Sequence, residues 1–547
     1  MSTSPQRSGR RGARIAAVSF AASSALLLAA CSGGSSSDAS SQSGTAREGG
    51  DLKIAIDSDP ICIDPSQTNL IASAVIGRQV VDSLVEQNSE TGEFEPWLAT
   101  EWSANADGTS YDFTLKDGVS FSDGTPLDST AVKNFFDQLV ASPGKTATAA
   151  GYLAGYTGTT VVDPTHFTVA FSAPNAPFLM GASSASLGIL GETTLKTSFE
   201  DRCRGIGIVG SGPFVLDDYT AGESAKITAR EGYDWAPAGA AHTGRAHLDS
   251  VTYLVSTEPS VRSGGLKSGQ VDVATTIQSQ DEQALTGGGF SILSRTNPGV
   301  LIGAAPDLSH SVILQDPQVR KALQLAIDQQ DIADTVLTPT YGTARSVLGD
   351  TTPGFADESA ELTPNKEEAG TLLDDAGWKL GSDGIREKDG KKLSLSILYF
   401  YQVNVYEYLQ QQLRAVGIDL QLNQVTSSEF TPAFNTHEYD LRSFSFSRPD
   451  PDILRTVFGQ ANLNSAGLDP ADPATVEFEG LLAAQRETTD QSQRNEVASD
   501  IQSTLLENNW AYPLSQLVQV IGVSDNVTGL RFDSFSRFLV YDAGFSE

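Results

Sequence analysis

From residue 51 onward the chain runs for about 500 residues with no apolar stretch long enough to cross a bilayer, and that length is the first constraint on its fold. A single hydrophobic core stops growing at about 250 to 300 residues, so this segment must divide its apolar side chains between at least two lobes. Local patterns say what those lobes are made of. Leu52, Ile54 and Ile56 alternate with polar or small residues ahead of the turn Asp57-Ser58-Asp59-Pro60, which predicts a strand. A helix is expected over residues 73–85. Tyr111, Phe113 and Leu115 alternate before Asp117-Gly118, and Val119 and Phe121 follow it, the pattern of a β-hairpin. Asp316-Pro317 and Thr363-Pro364 each offer an N-cap followed by a first helical residue. Leu393, Leu395 and Ile397 alternate, Leu409, Leu413 and Val416 recur at helical spacing up to Gly417, and Ile418 to Leu422 is extended again. Strand, helix and strand at this spacing make a βαβ unit, so the fold class is α/β.

The first 50 residues are of another kind. Arg7, Arg10, Arg11 and Arg14 precede or open an apolar run over 15–30 that ends Leu28-Ala29-Ala30-Cys31. A basic start, an apolar middle and small residues at the cut mark residues 1–30 as a secretory signal. The run is shorter than the roughly 20 residues a spanning helix needs, which weighs against a retained anchor. Leu-Ala-Ala-Cys resembles a lipobox, in which Cys31 becomes the lipidated first residue of the exported chain. The competing reading is an ordinary cleavage site that happens to precede a cysteine. Residues 31–50 offer almost nothing apolar to bury and are expected to form a flexible tether, with the protein held by lipid at the outer face of the cytoplasmic membrane.

Against 36 Lys and Arg stand 68 Asp and Glu, a net charge of −32 that becomes more negative once the N-terminal arginines are removed. Nucleic acid and anionic lipid surfaces reward clustered cations, so neither is an expected partner. With Cys31 assigned to lipid, Cys62 and Cys203 are the remaining cysteines of a chain bound for an oxidising compartment. They are expected to pair; two buried free thiols is the alternative.

Five blocks in order then carry a family likeness. They are Leu84-Val85 through Glu93-Phe94-Glu95-Pro96-Trp97-Leu98-Ala99 to Trp102; Asp107-Gly108 through Phe121-Ser122-Asp123-Gly124-Thr125-Pro126; Gly210-Ser211-Gly212-Pro213-Phe214 followed by Leu266 to Asp272; Asp316-Pro317-Gln318-Val319-Arg320-Lys321-Ala322-Leu323 through Asp328; and Ala376-Gly377-Trp378 with Gly417-Ile418-Asp419. This wording resembles the peptide/nickel class of ABC-transporter extracellular solute-binding proteins, family 5, the class of dipeptide- and oligopeptide-binding lipoproteins. The resemblance implies a two-lobed periplasmic-binding-protein-like fold of type II, with an extra subdomain, a hinge and a central ligand cleft. Lobe I would hold residues 51–300 with a small subdomain over about 76–190, lobe II residues 301–515, and 516–547 would return to lobe I. It further implies a monomer that captures a peptide or peptide-like solute by hinge closure and delivers it to the permease and ATPase subunits of an importer, without metal or cofactor. A receptor that binds solute for sensing alone is the second reading.

A hydrolase is the remaining class to weigh. No Gly-x-Ser-x-Gly elbow occurs, and Gly144-Lys145-Thr146 has Leu139 where a phosphate loop needs glycine. Ser524-Asp525-Asn526 has no Lys-Thr-Gly after it. The histidines at 166, 242, 247, 310 and 437 make no ligand cluster in sequence.

In peptide-binding members, a loop worded Trp-x-x-Asp-x-x-Asp-Pro-Asp enters the cleft and its first aspartate holds the peptide ammonium. Aligned on Asp450-Pro451-Asp452, the tryptophan position here is Phe444 and the ammonium-binding position is Ser447, beside Arg448. A hydroxyl cannot replace a carboxylate opposite a buried cation, so the loop points away from simple peptide recognition and toward a carboxylate-bearing solute. Against that stands an Arg448 directed to solvent or paired with Asp450. By the same similarity Asn69, Ile71, Tyr152 and Gln516 are expected at the cleft, with Phe446 as an apolar wall. Tyr399, Phe400, Tyr401, Glu429, Phe430 and Trp510 are open between core and pocket.

Overall fold

A computed structural model describes residues 46–546 except 69, 402 and 460–466, so Cys31 and Asn69 lie outside the described residues. Seven strands make the first sheet, in the order Ser291–Thr296, Val518–Val523, Val273–Ala274, Asp51–Ile56, Ser250–Val255, Ser224–Ala229 and Phe214–Thr220. Asp51–Ile56 runs parallel to both of its neighbours, with Ile54 opposite Tyr253 on one side and Val273 on the other. A parallel strand must be covered on both faces. Leu52, Ile54 and Ile56 enter a core with Val75, Ile76 and Tyr253, while Ala55 meets Leu266, Ile277 and Val520 on the opposite face.

The second sheet orders Asp419–Gln424, Ser394–Tyr399, Leu441–Ser447, Gly299–Pro306 and Tyr512–Ser515. Its first two strands are parallel and joined by the helix Val403–Ala415, which buries Leu409 and Leu413. A third, antiparallel sheet of Ala99–Ala104, Ser110–Leu115, His166–Phe171 and Tyr156–Val161 packs under the helix Ser129–Ala141, whose Phe136 meets Tyr156 edge-on. This small subdomain shares the first lobe's core.

Two chain crossings connect the large sheets. Ser291–Thr296 leads into Gly299–Pro306, and Tyr512–Ser515 leads back into Val518–Val523. The crossings lie side by side, the Asn297 N–H donating to the Leu517 carbonyl at 2.7 Å. At the chain's outer end, Ala46–Arg47 pairs antiparallel with Gly544–Ser546, which also pairs with Val527–Thr528, so the tether expected over 31–50 is corrected at its end: residues 46–50 belong to the fold. Cys62 and Cys203 are bonded, tying the loop after Asp51–Ile56 to the short helix Phe199–Cys203. In chain-entropy terms a closure of 141 residues contributes about 4 to 5 kcal/mol.

Three local expectations are corrected. Ser110–Leu115 does not turn back at Asp117-Gly118; it pairs with Ala99–Ala104 and His166–Phe171, and the following segment folds on itself, Phe121 N–H to Thr125 O and Leu127 N–H to Val119 O. The helix expected over 73–85 is Ile71–Val80, because Val81 turns extended. The cap of the helix Lys366–Asp375 is Asn365, whose side chain accepts from the Glu368 N–H, so Pro364 precedes the cap.

The helix Ile71–Val80 is clamped by the turn at Gly210-Ser211-Gly212. A Cβ on Gly210 would lie 1.9 Å from the Val80 carbonyl oxygen and one on Gly212 2.6 Å from that of Gln79, so only glycine allows this approach. Beside the clamp, Asp82 is fully buried and accepts from Trp235 Nε1 (2.9 Å) and Tyr233 OH (3.3 Å). Burial pushes its carboxyl up from 3.8 to about 6, against the pull of those bonds, Ser211 and the Arg78 guanidinium. The folded state therefore holds this proton where the unfolded chain has released it, so its stabilising effect is complete below about pH 4 and is lost as the pH rises to about 6. The loss at neutral pH is about 3 kcal/mol. Asp82→Asn, which keeps an acceptor for Trp235, is expected to melt with wild type near pH 4 and several degrees above it at pH 7.5. Melting curves at the two pH values check this, and a pH-independent difference would contradict it.

Candidate solute-binding site

The strand Leu441–Ser447 delivers the predicted loop to the first crossing. Its alternation separates two roles. Phe444 is buried, its ring edge-on to Phe458 at 5.3 Å and pressed on Gly303, where a Cβ would lie 2.3 Å away. It therefore belongs to the core of the second lobe, and its expected place on the cleft wall is corrected. Phe446, nearer the strand's end, is 41% exposed. On the other face Ser443, Ser445 and Ser447 carry buried hydroxyls; that of Ser447 has no hydrogen-bond partner among the described residues, while those of Ser443 and Ser445 face the Tyr406 and Tyr401 hydroxyls.

Beyond the strand the loop is laid against the crossing. The Arg448 N–H donates to the Pro298 carbonyl at 2.9 Å. Gly299 has φ +107, and a Cβ there would meet the Phe446 carbonyl oxygen at 2.2 Å and the Arg448 nitrogen at 2.6 Å. The acidic pair that follows is already engaged. Asp450 takes two bonds from Arg494, at 2.7 and 2.5 Å, both residues being buried. Asp452 takes two from Arg455, both 2.7 Å. Neither carboxylate is left for a solute ammonium.

Arg448 does not pair with Asp450. Its Nη1 donates to Thr456 Oγ1 at 3.1 Å and lies 3.8 Å from Asp452, which among the described residues is the one carboxylate within 4.0 Å and is already held by Arg455. The guanidinium carbon stands 5.6 Å from the ring centre of Tyr152, which brings the two predicted residues together across the lobes. Such a ring holds a cation in place while leaving its edge donors open.

At the second crossing Gln516 is buried with both amide atoms unpartnered among the described residues, and Ser515 Oγ and Asn297 Oδ1 are in the same condition. A buried polar atom without a partner costs about 1 to 3 kcal/mol, so a concentration of them at one place marks where water or solute belongs. Ser445, Ser515 and Asn297 were not among the expected cleft residues; Tyr401, left open above, places its buried hydroxyl beside Ser445 and Tyr406. The Ser-x-Ser-x-Ser alternation on a strand otherwise built for burial is the signal that points to Ser445; no local signal points to Ser515 or Asn297. Ile71, 46% exposed, opens the helix Ile71–Val80 on the opposite lobe. The open assignments close as packing: Tyr399 lies against Tyr406, Trp510 against Phe478, Phe430 against Phe400 and Phe434, and Glu429 closes a capping box with Thr426.

A family model described as "Bacterial extracellular solute-binding proteins, family 5 Middle" matches residues 93–463. The chain belongs to this family. Protein XP55 of Streptomyces lividans is 26% identical over 522 residues, covering 90% of this chain and 89% of that one. The glutathione-binding protein GsiB of Salmonella paratyphi A is 24% identical over 516 residues, covering 91% and 93%. Among solved structures, NikA of Brucella suis in complex with Fe(III)-EDTA superposes with a TM-score of 0.77 at 23% identity, covering 89% of this chain and 98% of that one. The two-lobed α/β architecture is that of the type II periplasmic binding proteins, and this family 5 chain is a solute-binding protein, not an enzyme. Among the described residues no helix is long and apolar enough to cross a membrane.

Gly299→Ala puts a side chain into the loop and a left-handed backbone at once. It is expected to lower stability by roughly 1 to 3 kcal/mol and to increase hydrogen exchange at 446–449 before the rest of the second lobe opens. Mass-resolved amide exchange on the variant checks the order of opening.

Proposed function

We propose that this family 5 protein is the lipid-anchored receptor of an ABC importer, closing its two lobes about an acid-bearing peptide or peptide-like solute and delivering it to the permease. The observation that carries the ligand class is the state of the loop: Ser447 stands at the ammonium position, Asp450 and Asp452 are consumed by Arg494 and Arg455, and Arg448, beside Tyr152, makes no side-chain hydrogen bond among the described residues except from Nη1 to Thr456. An enclosed ammonium opposite this loop would lie unpaired beside a guanidinium, at a cost of several kcal/mol, whereas a carboxylate can take two parallel bonds. The bound species named for two relatives, glutathione and Fe(III)-EDTA, both bring carboxylates, which agrees with this reading. Phe446 and Gln516 would complete the wall, the first apolar and the second as amide donor and acceptor.

The test is calorimetry on di- to pentapeptides, their N-acetylated forms and small polycarboxylic acids, with wild type and Arg448→Ala. Acid-bearing probes are expected to bind wild type and to lose roughly tenfold or more in Arg448→Ala. Tight binding of free peptides that is unchanged in Arg448→Ala would overturn the assignment. For the anchor, Cys31→Ser is expected to move the exported protein from the membrane fraction to the soluble one; an intact signal with unaltered membrane partitioning would refute lipidation.

A further inference from the structure

The edge of the first sheet that faces the second lobe holds a cavity which the reading above does not use. It lies where Asp51–Ile56 and Val273–Ala274 end, beside the point at which Ser291–Thr296 leaves for the other lobe. Ligands of open α/β sheets bind at such carboxyl ends. Asp57 and Arg537 both line it, yet neither has an ionic partner within 4.0 Å among the described residues. Asp57 accepts from hydroxyls alone, Thr276 Oγ1 at 2.9 Å and Ser58 Oγ at 3.3 Å. The nearby Arg262 directs its bonds to the carbonyls of Ser256, Thr257, Thr275 and Thr276.

Two further features mark the cavity. Thr275, 8% exposed, lines it with a hydroxyl that has no hydrogen-bond partner among the described residues, and Arg537 Nε is buried and likewise without one among them. Thr276 (φ 52) and Ser536 (φ 57), also in its lining, are held in the left-handed region, which a β-branched residue rarely adopts. Ser536 is fixed there by its bond to the Thr296 carbonyl at 2.8 Å, at the last residue before the crossing. Strain of this kind persists where the surroundings impose it, and it gathers at binding sites.

The helix Ile71–Val80 begins in the same wall, and Leu70 at its cap makes no side-chain bond. Its first N–H groups and Arg537 suit an anion, while Asp57 and the Thr275 hydroxyl suit an ammonium. We propose that this cavity is a subsite for the zwitterionic α-amino-acid head of the solute, ammonium to Asp57 and carboxylate to Arg537 and the helix start. The proposal rests on the reading that the Ser447–Arg448 loop takes a carboxylate at the solute's other end: the first lobe then supplies the anion that the loop lacks.

Reduced glutathione, N-acetylglutathione and a panel of free L-amino acids are suitable probes, because glutathione carries an α-amino-acid head at one end and a second carboxylate at the other. Calorimetry on the purified protein is expected to show binding of glutathione or of free amino acids. Affinity should fall roughly tenfold or more on N-acetylation, in Asp57→Asn and in Arg537→Gln, with Arg537→Lys keeping part of it. Melting temperature and circular dichroism establish that the variants are folded, and Arg448→Ala should leave free amino-acid binding in place. No binding by any probe with such a head, or binding indifferent to Asp57→Asn and Arg537→Gln, overturns the subsite. Acid binding that needs Arg448 but neither of these residues removes the subsite and leaves the proposed function standing; dependence on Asp57 and Arg537 alone removes the loop reading instead.

Discussion

The hydrogen bond from the Asn297 N–H to the Leu517 carbonyl, 2.7 Å long, fastens the two chain crossings to each other, and the rest of the architecture depends on it. Because Ser291–Thr296 pairs antiparallel with Val518–Val523 on one side, and Gly299–Pro306 with Tyr512–Ser515 on the other, the two sheets share a two-stranded ribbon. Relative motion of the lobes would have to bend this ribbon. The φ/ψ changes that such bending needs are confined to a few residues at the strand ends. Asn297 Oδ1, Ser515 Oγ and the Gln516 amide, without hydrogen-bond partners among the described residues, sit on that same ribbon. A solute that satisfied them would be held by the element that moves.

The loop opposite is built to stay still. Burying a charged pair is costly unless every contact is made, and Asp450 and Arg494 make two direct bonds, with Arg494 Nε also donating to the Gln485 carbonyl at 3.0 Å. Breaking such a pair from one side leaves an uncompensated buried charge, about 3 to 5 kcal/mol, so the Asp-Pro-Asp wording is explained by loop rigidity and not by solute contact. From the first lobe, Gln87 Nε2 donates to the Pro449 carbonyl at 3.0 Å and the Ala176 N–H to that of Arg486 at 3.1 Å. The small subdomain thus grips the second lobe at both ends of the Asp450–Arg494 link, and Tyr152 meets Arg448 between them.

How far the sequence disclosed this depends on the range of the interaction. Asp316 capping its helix, the left-handed Gly377 after Lys366–Asp375 and the parallel unit around Val403–Ala415 follow from neighbours a few residues apart, and these were legible. The partners of Ser110–Leu115 come from 99–104 and 166–171, and nothing in a local hairpin pattern expresses that competition. At the site, the exhausted charge of Asp450 depends on Arg494, 44 residues away, and sequence alignment to a loop pattern cannot reveal it. Phe444 failed as a cleft residue for a similar reason: strand alternation says that it shares a face with Phe446, but not that Phe458 and Gly303 close over it. The cavity at Asp57 and Arg537 joins positions almost 500 residues apart and left no pattern in the sequence.

The pairing of Ala46–Arg47 with Gly544–Ser546 has a mechanical consequence. Tension arriving from the N-terminal side enters the fold along a strand whose hydrogen bonds lie across the line of pull, so the load is shared among them and passes into the first lobe beside the C-terminus. None of it crosses the two-stranded ribbon. With the anchor proposed at Cys31, the first lobe would be the fixed jaw and the second the free one, and thermal motion of the attachment point would not work the cleft open.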